Sequence, residues 1–209
     1  MDSITKLVKR KINVRLKTVL LSINNNEFFE IENVAKELGL KFRFDPAIFP
    51  RLDGDASPVN LRVAPAIAVE KEFSDRYRAE QWGKYFKNIK EKTFSGKLYN
   101  CGAGVNGFYI DPYGILQPCL MTPDTNYNLM KGSFKNGWLN AISGIRDKKA
   151  ATNSACSNCE KIHLCGYCPA FFKLETGSEH LLSTYLCELG SHRFNLINEN
   201  SSKGVCNAA

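Results

Sequence analysis

Between Cys156 and Pro169 the chain reads CSNCEKIHLCGYCP, four thiols within thirteen residues. Three structures compete for thiols this close together: a disulfide staple, a pair of zinc knuckles, or ligands to iron–sulfur clusters. A disulfide framework belongs to small secreted chains with evenly spread cysteines and a signal peptide. Here the first hundred residues hold no cysteine, and the opening MDSITKLVKRKINV lacks an apolar signal core and a small-residue cleavage site. Nor does the chain contain an apolar run long enough to span a bilayer. These features predict a cytoplasmic protein whose thiols stay reduced, with no membrane partner.

The spacing of the run is C-x2-C-x5-C-x2-C-P. A structural zinc site usually draws on two knuckles separated by about 15–20 residues, so that each approaches the ion from its own side. Iron–sulfur clusters are larger bodies and accept dense thiolates in a loop. A terminal Cys-Pro, as at Cys168–Pro169, ends the ferredoxin run in the same way. The remaining cysteines are Cys101, Cys119, Cys187 and Cys206. Setting aside Cys206 in a tail expected to be frayed, seven remain. That is too many for one four-ligand site and one short of two complete ones. The spacing points to iron–sulfur ligation without excluding zinc, so a zinc-stabilised binding module and a standalone iron–sulfur electron-transfer protein stand as alternatives.

Apolar periodicity organises the rest. NVRLKTVLLSI alternates as a buried strand, NNNEFFEIENVAKELG reads as a helix capped by Asn24–Asn26 and stopped at Gly39, and LKFRFDP alternates again through Phe42 and Phe44. Strand, helix and strand in so short a span make one βαβ unit with parallel strands. VEKEFSDRYRAEQWGKYFKNIKEK (69–92) is expected to form one long charged helix, carrying Phe73, Tyr77, Trp82 and Phe86 as packing residues. From residue 101 the texture changes. GFYIDPYGILQPC predicts a hairpin over an Asp-Pro-Tyr-Gly turn, GWLNAISGIRDKK a short helix, AFFKLETG a helix closed by Gly177, and EHLLSTYLCELGSHRFNLINE a final helix. The expected fold class is α/β (α+β). Its expected organisation is a sheet fragment over 1–68, a bridging helix over 69–100, a cysteine-bearing unit over 101–198 and a flexible tail over 199–209.

The order Cys101, Gly114, Cys119, then Cys156, Cys159, Cys165, Cys168 and Cys187, resembles the SPASM domain of radical SAM enzymes that modify peptides and proteins. The likeness runs from residue 101 to the end of the last helix and includes NLMKGSFKNGW, CGYCPA and YLCELGSHR. Upstream, ITKLVKRKINVRLKTVL through ELGLKFRFDP is similar to the last third of the radical SAM partial barrel. The resemblance implies two auxiliary [4Fe–4S] clusters. One would be held by Cys156, Cys159, Cys165 and Cys187, the other by Cys101, Cys119 and Cys168. Two residues stand between Cys165 and Cys168 where the family usually has three, and no cysteine shortly precedes Cys101. The second set is therefore left with a position for a substrate thiol or amide, a non-cysteine ligand, or Cys206 from the tail. The C-x3-C-x2-C motif that binds the S-adenosylmethionine-cleaving cluster is absent from residues 1–100. The resemblance thus implies the C-terminal part of an oxidoreductase, with S-adenosylmethionine bound only in the intact enzyme. The partners it implies are a peptide or protein substrate, an electron donor or acceptor, and a further barrel half or partner chain.

Other features carry less. The formal net charge of +7 would be cancelled by seven thiolates, and the basic runs at Lys6–Lys17 and Lys84–Lys92 read as solvated faces, which argues against nucleic acid. His163 inside the cysteine run is read as a surface residue, and His180 and His192 as helix-surface polar groups. Asn24, Asp45 and Arg51 fall at strand ends, where parallel sheets place binding residues. GAGVNG at 102–107 has neither the preceding strand nor the following helix of a dinucleotide loop.

Overall fold

Helix α1 (Asp2–Lys9) leads into β1 (Arg15–Val19), α2 (Phe28–Glu37) and β2 (Lys41–Asp45) in the computed structural model, which describes residues 2–91, 95–151 and 154–206. The two strands are parallel, in the register Arg15↔Lys41 to Val19↔Asp45. Period-two alternation decides the faces: Leu16, Thr18, Phe42 and Phe44 turn inward, while the charged residues between them face out. On the inner side Phe28 of α2 is fully buried and meets Phe42 and Phe44 edge-on, with ring centroids 6.0 and 4.7 Å away. Burying such a ring contributes about 1.5–3 kcal/mol. None of the asparagines expected to cap α2 is its N-cap. Glu27 precedes the helix without a side-chain cap, and Asn24 instead accepts from Leu21 N–H (2.8 Å) and donates to the Val19 carbonyl (3.0 Å), closing the end of β1.

The single helix expected over 69–92 is two helices, α3 (Pro65–Phe73) and α4 (Arg76–Ile89). Asp75 makes the break. Its backbone is extended and its carboxylate accepts from Arg78 N–H at 2.9 Å, so it caps a new helix rather than continuing the old one. The aromatic stripe is divided accordingly: Phe73 ends α3, Phe86 is buried on α4, and Tyr77 is exposed.

The expected hairpin forms as β3 (Tyr109–Ile110) and β4 (Ile115–Gln117), with Tyr109↔Gln117 in register, and gains a third strand, β5 (Tyr127–Asn128). A helical run follows: α5 (Phe134–Asn136), a π-helical segment Gly137–Ile142, and α6 (Ser143–Asp147). After the cysteine loop come α7 (Pro169–Thr176) and α8 (Thr184–Cys206). Gly177 closes α7 in the left-handed conformation, φ 82°, donating to the Lys173 carbonyl. Helix α8 continues to Cys206 instead of giving way to a tail after residue 198, although the Cys206 side chain lies outside the described residues.

The molecule is a mixed α+β protein. Leu20, Phe28 and Val69 from the first part share one core with Phe171, Phe172, Tyr185 and Leu189 from the last. Helix α3 lies on α8. Between them Arg193 meets Glu72 through two hydrogen bonds of 2.7 and 2.6 Å, both side chains being buried. No helix among the described residues is long and apolar enough to cross a membrane.

Candidate metal centre

The seven cysteines with described side chains are all free thiols. Residues 155–166 wind through successive turns, with Cys159 N–H on the Cys156 carbonyl (3.2 Å), Ile162 N–H on Cys159 (3.1 Å) and Leu164 N–H on Lys161 (2.8 Å). Cys156 enters the main core, and Cys165 is buried against α8. The contact at α8 depends on Gly190. A Cβ there would stand 2.7 Å from Cys165 Cβ and 2.9 Å from its Cα, so only glycine lets the loop come this close. Cys187 lies three residues earlier on α8 and so shares the face that Cys165 approaches.

The thiols feel one another in two separate sets. Burial pushes the Cys165 thiol up to about 12, reinforced by the charges of Cys187, Cys156 and Cys159. Cys156 is pushed up to about 11 by burial and then by Cys187 and Cys159. Cys187 is raised by burial and Cys159, with Lys161 opposing. The second set centres on Cys168, raised first by burial and then by Cys101 and Cys119, against the lowering effect of the Phe171 N–H that its sulfur accepts at 3.4 Å. In that position Cys168 also caps α7. Cys119 sits in a turn after the hairpin, its carbonyl accepting from Thr122 N–H (3.0 Å) and Thr122 Oγ1 (2.8 Å). Cys101 is exposed at the start of a tight loop whose Gly102 carbonyl accepts from Val105, Asn106 and Gly107. Tyr167 feels members of both sets, pushed up to about 12 by burial and then by Cys156, Cys165 and Cys168.

Among the described residues, no three His, Cys, Asp or Glu side chains are placed to hold a metal ion. A single zinc would need four sulfurs about 2.3 Å from one point. A multi-iron cluster takes its thiolates around a larger body, and by number and chemical type the set of four cysteines fits one cluster. The set of three is one donor short.

His163 lines a cavity of about 470 Å³ with Trp82, Tyr85 and Arg193, beside the Cys165 loop. His180 is exposed. Asp45 accepts from Lys17 (3.4 Å) and Ala47 N–H (3.1 Å), and Arg51 pairs with Asp53 and Asp55 in its own loop. With Asn24 closing the β1 turn, the three strand-end candidates serve local structure and do not converge on one cleft. One feature passed unnoticed in the sequence is a cationic strand face made by Arg15, Lys17, Lys41 and Arg43. Its signal was there in the alternations R-x-K and K-x-R. Compared with known proteins, the chain matches no family model and no curated protein.

Proposed function

We propose that the protein binds two [4Fe–4S] clusters as the auxiliary-cluster region of a radical SAM enzyme acting on a peptide or protein substrate. Cys156, Cys159, Cys165 and Cys187 would hold one cluster, and Cys101, Cys119 and Cys168 the other. The carrying observation is the grouping of seven free thiols into sets of four and three, with Cys168 packed against both adjoining apolar clusters. A bound cluster supplies one-electron chemistry, and its potential follows burial and hydrogen bonding at the sulfurs. The chain's own residues set those conditions. Core packing around Cys156 excludes water, and the α7 N-terminus presents Phe171 N–H to Cys168. The Arg193 guanidinium holds the Leu164 carbonyl at 2.6 Å, immediately before Cys165. Cleavage of S-adenosylmethionine would fall to another segment or chain, since this sequence carries no C-x3-C-x2-C.

Anaerobic reconstitution with iron and sulfide, followed by metal analysis and an absorption spectrum, tests the proposal. Uptake of about eight irons per chain with a broad visible absorption supports it. Zinc without iron uptake overturns it and leaves a zinc-folded binding module.

A further inference from the structure

The outward face of the β1–β2 sheet is a cationic array. Register places Arg15 beside Lys41 and Lys17 beside Arg43, and all four side chains are exposed. Parallel-strand geometry sets neighbouring positions about 4.8 Å apart across the pair and about 6.6 Å apart along each strand. Like charges directly opposite one another on a sheet are destabilising. Among the described residues only Asp45, at the carboxyl end of β2, relieves them, through its 3.4 Å contact with Lys17. Arg15, Lys41 and Arg43 have no ion-pair partner among the described residues. Nor, among those residues, does a third strand pair with β1 or β2, so the backbone edge of β2 beside Lys41 and Arg43 is open to strand addition.

We infer that this surface binds an extended acidic polypeptide segment, which adds as a strand along the outer edge of β2 and sets carboxylates at alternate residues beside Lys41 and Arg43. Two independent features select that occupant. The cations recur every second residue, the period at which a strand's side chains return to one face. The open edge offers backbone donors and acceptors that a polypeptide strand satisfies and a nucleic acid strand does not. The cysteines have no part in the interaction, so it stands or falls separately from cluster binding.

The test uses the full chain and a fluorescein-labelled peptide with glutamate alternating between valine and threonine, followed by fluorescence anisotropy. Binding is expected at low salt and is lost at high salt or when glutamine replaces glutamate. The double variant Lys41→Gln, Arg43→Gln weakens it about tenfold, and Arg15→Gln, one strand further from the edge, about twofold. Both variants remove like-charge neighbours and are expected to fold, with a melting temperature no lower than that of the wild type. On binding, backbone amides of residues 41–45 gain protection from hydrogen exchange. Equal binding of the glutamine peptide, no effect of the β2 double variant, or binding of an oligothymidylate in place of the peptide would each overturn the inference. The charges would then serve only to shield a sheet edge.

Discussion

The two sets of cysteines both reach Tyr167 and are built by different means. The set of four is walled by regular structure: Cys187 stands on α8, Cys165 presses into the gap at Gly190, and Cys156 is part of the main core. The set of three is assembled from the ends of separate turns, with Cys101 exposed, Cys119 after a hairpin and Cys168 at a helix start. Packing holds Cys156 and Cys165 of the first set in place before any metal arrives, whereas in the second set only Cys168 is packed and Cys101 and Cys119 sit in short locally hydrogen-bonded turns. The comparison therefore predicts that metal-free stability runs through the first set, while the second changes ligand binding at little cost to the fold.

The largest effect is expected at the Glu72–Arg193 pair, which ties α3 to α8 and, through Leu164, to the cysteine loop. Both side chains are less than a tenth exposed, so Glu72→Ala leaves a buried, uncompensated guanidinium. Chemical denaturation should show a loss of about 3–5 kcal/mol. Gly190→Ala comes next. Its added methyl collides with the Cys165 backbone, for an expected cost of about 1–3 kcal/mol and reduced iron uptake. An unchanged melting temperature and iron content in that variant would show that α8 does not set the position of Cys165.

Tyr185 gives a pH-dependent version of the same test. Its hydroxyl is shared between the carbonyls of Pro46 (3.1 Å) and Val63 (3.2 Å), joining α8 to the loops after β2 and before α3. Burial pushes its pKa from the ordinary 10.0 to about 12. The unfolded phenol therefore ionises first. The contribution is whole below pH 10 and is lost as pH rises toward about 12, because the unfolded state has then released its proton while the folded state still holds it. Tyr185→Phe should cost about 1 kcal/mol at neutral pH and flatten the alkaline fall, as followed by thermal melts across that range. The smallest change in stability is expected at Cys101. Because this thiol is exposed, Cys101→Ser should shift metal-free stability by less than about 0.5 kcal/mol. Iron content should nevertheless fall from about eight to about four per chain. A large loss of metal-free stability in Cys101→Ser would erase the distinction between the two sets.

Several elements were legible in the sequence because their causes are local. Alternation set the faces of β1 and β2, the Asp-Pro-Tyr-Gly segment turned the hairpin, and Gly177 closed α7. The failures also have local explanations that pattern could not rank. Asp75 could have faced solvent within one long helix, yet its side chain caps a new one. Asn24 could have capped α2, but the end of β1 offered it two backbone partners at once. Strand β5 is only two residues long, too short to show a period.

By itself the sequence determined the chemistry that is available. Eight thiols, a dense cysteine run and the period of each apolar face are properties of residue order, and no packing can change them. Tertiary structure decided which of those residues meet. Cys165 and Cys187 are neighbours because Gly190 lacks a side chain, Glu72 and Arg193 pair because α3 lies on α8, and four cations form one array because β1 and β2 align in register. Each of these contacts depends on the shape of a distant partner, and that information becomes physical only when the chain brings the two surfaces together.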